Sequence, residues 1–143
     1  MRFIKIKKYD YEPEWFVGFT FSNGTASAYH EMYLNVDELP RLANKLINFP
    51  ERDKKIGFEF GNEDPKDNYE NFIKILIYVY NSSGHTAINI MLSNNKEKHL
   101  AEKSHFSILC TPADINYFGN QLLAWCSNPD DELYIEFKSD ILK

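Results

Sequence analysis

Cysteine is scarce in this chain: Cys110 and Cys126 are its only two, and they form no Cys-x-x-Cys pair. That excludes a disulfide-stapled scaffold and a cysteine-based zinc site. Each lies in an apolar run, Ser107-Ile108-Leu109-Cys110 and Leu122-Leu123-Ala124-Trp125-Cys126, and is read as a reduced, buried small hydrophobe. Glycines are few and scattered singly, at Gly18, Gly24, Gly57, Gly61, Gly84 and Gly119, so neither a Walker loop nor a dinucleotide fingerprint is present. There is no Gly-x-Ser-x-Gly elbow and no His-x-x-x-His pair. His30 and His105 fall on predicted strands, His85 in a turn and His99 in a charged loop, where imidazoles serve surface and turn roles more often than catalysis. His85, just past Gly84, has the strongest claim to project into a cleft. No stretch approaches the ~18 apolar residues of a membrane span. Met1 to Lys8 interleaves cations with apolar residues, unlike a secretory signal. The expectation is a cytoplasmic protein with no membrane partner, no cofactor, no metal and no catalytic residues, hence not an enzyme.

What is abundant is aromatic and apolar. Of 143 residues 43% are hydrophobic and 15% aromatic, with 11 Phe and 9 Tyr, which predicts one folded, sheet-rich domain over residues 1–143. A chain of this size buries roughly two thirds of the surface its unfolded form exposes. The net charge of -5 argues against a nucleic-acid ligand, which calls for a concentrated basic excess, and suits a basic protein partner.

Period-two alternation predicts strands over Arg2 to Tyr9 and Trp15 to Phe21, with Trp15, Phe16, Phe19 and Phe21 mostly in the core. Asn23-Gly24 predicts a tight type I′ hairpin returning along Ala26 to Leu34. Asn35 or Asp37 is placed to cap a helix ending near Asn48 to Pro50. Strands follow over Ile56 to Phe60, Phe72 to Tyr80, Ala87 to Leu92 and Phe106 to Cys110, with Gly84 in a second turn and Asn94 to Ser104 an exposed loop. Thr111-Pro112 opens a helix to about Cys126, and Leu133 to Phe137 closes the chain as a strand. The predicted class is α+β: antiparallel sheet or sheets, two packed helices, and the order three strands, helix, four strands, helix, strand. Leu39, Leu42, Asn44 and Leu46 recur about 76 residues later as Ile115, Phe118, Asn120 and Leu122, each run followed by a strand, a pattern of approximate internal repeat.

Carboxylates cluster around those two repeated strands. Glu59, Glu63, Asp64, Asp67 and Glu70 form one group; Asp130, Asp131 and Glu132, with Glu136 and Asp140, form the other. If the two strands pair as neighbours, the groups merge into one acidic patch that would attract a cationic partner and speed encounter. The first group lacks the spacing and central glycine of an EF-hand loop. Tyr29, Tyr33, Tyr69, Tyr78 and Tyr80 suit either packing on a sheet face, the commoner role, or an interface, where tyrosine supplies contact area at low entropic cost; the sequence does not separate the two.

The early strand with Gly24, the helix from Leu39 to Leu46, the Gly84-His85 turn followed by Ile88, Ile90 and Leu92, and the closing helix-strand from Pro112 to Phe137 resemble the WapI-type immunity proteins of bacterial polymorphic and contact-dependent toxin systems. The resemblance implies a cytosolic protein that neutralises a cognate toxin domain, often a nuclease, by stoichiometric occlusion. It supplies no catalytic residues, and the partner-binding acids rest on electrostatics alone. The repeated strand-helix layout is also similar to whirly-type domains, which would imply a small-ligand or single-stranded nucleic-acid binding module. Its basic face would come from Lys5, Lys7, Lys8, Arg41, Lys45, Lys54 and Lys55.

Overall fold

Alternating apolar residues can bury one side of a strand only when a second layer covers it, and here two antiparallel sheets and a pair of helices cover one another. The computed structural model describes residues 1–11, 14–61, 71–129 and 132–140, with the backbone alone for Asp10, Tyr11 and Glu14. Sheet A contains β1 (Arg2–Tyr11), β2 (Glu14–Asn23), β3 (Ser27–Leu34) and β8 (Glu132–Glu136), in the order β3-β2-β1-β8. Sheet B contains β4 (Lys55–Phe60), β5 (Phe72–Val79), β6 (Thr86–Ser93) and β7 (Lys103–Cys110), in chain order. Helix α1 (Glu38–Ile47) joins the sheets, and α2 (Pro112–Ser127) leads from β7 back to β8. The α+β class, with antiparallel sheets and two helices, is as expected.

Both sheets send their β-branched and aromatic residues to one shared core. Ile4, Ile6, Val17, Phe19 and Phe21 come from sheet A; Phe60, Ile73, Ile75, Ile77, Ile88, Ile90 and Ile108 come from sheet B. The rings of Phe19 and Phe60 meet between the sheets at 5.1 Å. Burying each such side chain contributes about 1.5–3 kcal/mol, the main favourable term in this fold. Arg2 ties the layers together at their polar margin, donating from its guanidinium to the carbonyls of Leu109 in β7 and Ser139 beyond β8.

The helices bury Leu39, Leu42, Ala43 and Leu46 from α1 and Ile115, Phe118, Gly119, Leu122 and Trp125 from α2. At Gly119 the backbones approach so closely that an added Cβ would lie 2.7 Å from Ile47 N and from Leu46 Cβ. Asn116 Nδ2 donates to Leu46 O, Ile47 O and Phe49 O, at 3.1, 3.1 and 2.6 Å, tying α2 to the C-terminal end of α1 and the residues just past it, where Leu46 O also accepts from Phe49 N. Thr111 and Asp114 form the capping box of α2, with Pro112 in its first turn. In α1, Asp37 occupies the N-cap without a side-chain bond; Glu38 accepts from Asn35 N instead.

Local expectations fail in instructive ways. The Asn23-Gly24 hairpin is not a type I′ turn centred on those two residues: Asn23 N donates to Ala26 O at 3.0 Å, which puts Gly24 and Thr25 at the tip, and among these four residues only Gly24 has positive φ, at 99°. Asn23 Oδ1 accepts from the amides of Thr25 and Ala26, so the side chain does what a second left-handed residue would have done. Asn81 Oδ1 closes the Gly84 turn similarly, accepting from Ser83 N and His85 N. The loop predicted from Asn94 to Ser104 is shorter, because β7 begins at Lys103 and Lys98–Leu100 forms a 3-10 turn. The two strands of the expected repeat, β4 and β8, do not pair: β4 bonds to β5 and β8 to β1, in different sheets.

Candidate functional site

Because side chains alternate along a strand, the residues opposite the core ones form the outer face of sheet A. The register stacks them in rows: Tyr33, Phe16 and Tyr9; then Glu31, Gly18, Lys7 and Glu132; then Tyr29, Thr20, Lys5 and Tyr134. Rings touch along this face, Phe16 with Tyr33 at 4.6 Å, Tyr9 with Phe16 at 5.7 Å and Phe3 with Tyr134 at 5.3 Å. Lys7 Nζ sits 5.3 Å from the Tyr9 ring centroid. Tyr33 is 62% exposed, Tyr29 48% and Tyr134 44%, so this ring-rich surface is open among the described residues.

A hollow of about 280 Å³ lies at its centre, walled by Lys5, Lys7, Tyr9, Thr20, Tyr29 and Glu132, with Gly18 as its floor. Gly18 leaves room for Tyr29, whose hydroxyl lies 2.5 Å from where a Cβ would project. The Tyr29 hydroxyl meets Tyr9 Oη at 2.7 Å and donates to Glu31 Oε2 at 2.9 Å. Burial, then the hydrogen bonds to Tyr9 and Glu31, push its pKa up, so the phenol stays protonated. This is a fixed array of rings, two ammonium groups and carboxylates, suited to recognition by contact.

Of the acids expected to bind a partner, Glu132 lies on this face, opposite Lys7, and Glu59 lies on β4 at the far sheet's edge. Glu63, Asp64, Asp67, Glu70, Asp130 and Asp131 lie outside the described residues, as does Tyr69. Phe16, expected in the core, faces outward and half-buried, because it is out of phase with Trp15, Val17 and Phe19. Lys5 and Lys7 were already candidates for a basic face, whereas Tyr9 gained significance only from its neighbours on β2 and β3; the signal in the sequence was the alternation Phe3, Lys5, Lys7, Tyr9. Tyr134 went unnoticed because β8 is short and its partner is more than a hundred residues away.

Two of the histidines, His85 and His105, are held by asparagine side chains. His85 Nδ1 bonds Asn81 Nδ2 at 2.7 Å within the turn. His105 Nε2 meets Asn89 Oδ1 at 2.9 Å, and Asn89 Nδ2 continues to Ser107 Oγ at 3.0 Å. His30 faces inward with a buried Nδ1 that has no partner, and burial lowers its pKa against the opposing pull of Glu102. Both cysteines are free; burial pushes the Cys110 thiol up, and that of Cys126 up to about 11. Among the described residues no group of three or more His, Cys, Asp or Glu is placed to hold a metal ion, and no helix is long and apolar enough to cross a membrane. Comparison with protein-family models and with curated proteins gives no match for this chain.

Proposed function

We propose that this chain works by binding rather than catalysis, as an immunity-type cytoplasmic protein that occludes a cognate toxin domain, and that the outer face of sheet A contacts it. The observation that carries this reading is the open array of Tyr29, Tyr33 and Tyr134 around Lys5, Lys7 and Glu132. Exposed tyrosines anchored on strands give large contact area with little loss of side-chain freedom, the property of residues that dominate protein interfaces. Glu132 stands on this face, and in the sequence Asp130 and Asp131 immediately precede it, an acidic run that would attract a basic partner.

The test is co-purification from lysate of the chain's own organism with tagged wild type and with Tyr29→Ala/Tyr33→Ala/Tyr134→Ala. A basic fragment with toxic or nuclease activity, held one-to-one by wild type, inhibited by it and lost by the triple variant, supports the proposal. A partner that the triple variant retains moves the contact elsewhere, and a partner that stays active in the complex removes occlusion.

A second reading, a single-strand nucleic-acid module of whirly-like layout, is favoured by the same ring-and-lysine face, since bases stack on aromatic rings and phosphates pair with Lys. A labelled single strand whose binding weakens with salt and is lost in Lys5→Glu/Lys7→Glu would establish it over the first.

A further inference from the structure

The cleft between α1 and the outer edge of β4 is cationic in a protein of net charge -5. It encloses about 450 Å³ and, among the described residues, is lined by Arg41, Lys45 and Lys74 with one carboxylate, that of Glu59. Arg41 and Lys45, one helical turn apart, both lie 5.5 Å from the Phe58 ring centroid, which presets their positions. Arg41 has an exposed partner in Asp37 at 3.4 Å, a weak pair in solvent.

The backbone of β4 adds direction to this charge. Val79 N donates to Lys54 O, so in the antiparallel ladder with β5 the hydrogen-bonded pairs fall at 56, 58 and 60. The N–H and C=O groups of Lys55, Gly57 and Glu59 therefore point away from β5, toward the cleft. Lys45 Nζ, reaching Gly57 O at 3.1 Å, marks that direction. Gly57 itself has no structural need to be glycine: its φ is not positive, and an added Cβ would meet only Ile75 O, at 3.9 Å. Glycine within a strand costs about 0.5–1 kcal/mol relative to alanine, and a common reason to keep it is close approach by another backbone.

We propose that this cleft is a docking groove for an extended, carboxylate-rich peptide segment, added to β4 as a fifth strand of sheet B. The segment's main chain bonds the outward groups of Lys55, Gly57 and Glu59, and its carboxylates pair with Arg41, Lys45 and Lys74. Lys45 gives up its bond to Gly57 O, an exchange of small cost at an exposed site. A nucleic-acid strand fits less well, because Phe58, the cleft's ring, is 6% exposed beneath the two cations and offers no face for stacking.

The test is fluorescence anisotropy of the full chain with a labelled peptide of alternating Glu and Val. Wild type binds it, more weakly as salt rises. Arg41→Glu/Lys45→Glu and the milder Arg41→Gln/Lys45→Gln each lose about tenfold or more while their melting temperatures hold. A peptide N-methylated at alternate residues along one edge loses binding with every carboxylate kept. Three results would overturn the proposal: no binding at about 1 mM peptide, equal binding of the N-methylated peptide, or a labelled thymidine oligonucleotide that binds more tightly with the same sensitivity to the variants.

Discussion

The seam between α1 and α2 and the outer face of sheet A are both rich in specific contacts, yet they answer to different constraints. In the seam, Gly119 leaves no room for one more carbon, and the Asn116 amide serves three carbonyls. On the face, Tyr33 and Tyr134 touch neighbouring rings while leaving about half of their surface or more in water. The first region is determined by close packing, where a methyl group is felt. The second contributes little that the fold requires, so its composition is the better guide to what the protein meets.

The sharpest way to break that contrast is Gly119→Val, which must separate the helices and is expected to destabilise by about 3 kcal/mol or prevent folding, read by chemical denaturation. Asn116→Ala should cost about 2 kcal/mol, because it takes the amide from the carbonyls of Leu46, Ile47 and Phe49 at the α1–α2 seam, and a loss below a few tenths would show that water replaces it. Thr111→Ala removes half of the α2 capping box, for a loss of about 1 kcal/mol in the same assay.

His30 links the comparison to pH. Its folded pKa lies below the ordinary value near 6.5, so its contribution is fully present above that value. As pH falls through 6.5 toward the folded pKa, the unfolded chain takes up a proton that the folded one resists, and stability declines. His30→Gln should flatten this acid limb, and an unchanged slope would assign it to other groups. At the small end, Tyr33→Ala and Tyr134→Ala should each move stability by only about 0.5 kcal/mol while abolishing partner capture. A large melting shift in either would make the face a structural element after all.

Much of the fold was legible locally. The Ile-rich apolar runs of β5 and β6 specify strands whatever they pair with, and Thr111-Pro112-Ala113-Asp114 specifies a helix start by hydrogen bonds within four residues. The Asn23 turn was misjudged because a side-chain amide can replace a backbone conformation, a choice between two local solutions close in energy. The face was legible only in fragments. Lys5, Lys7 and Tyr9 alternate visibly, but nothing in their own strand says that Tyr29 will cross Gly18 to meet Tyr9, or that Tyr134 will arrive from the far end of the chain.

By itself, then, the sequence determined the elements: periodicity, capping and turn chemistry act over a few residues and need no distant partner. Tertiary structure alone decided that β8 joins β1 and not β4, that α2 lies close enough on α1 to require Gly119, and which alternating residues share a surface. Those outcomes depend on which apolar faces bury each other best, a property of the whole chain that no segment carries alone.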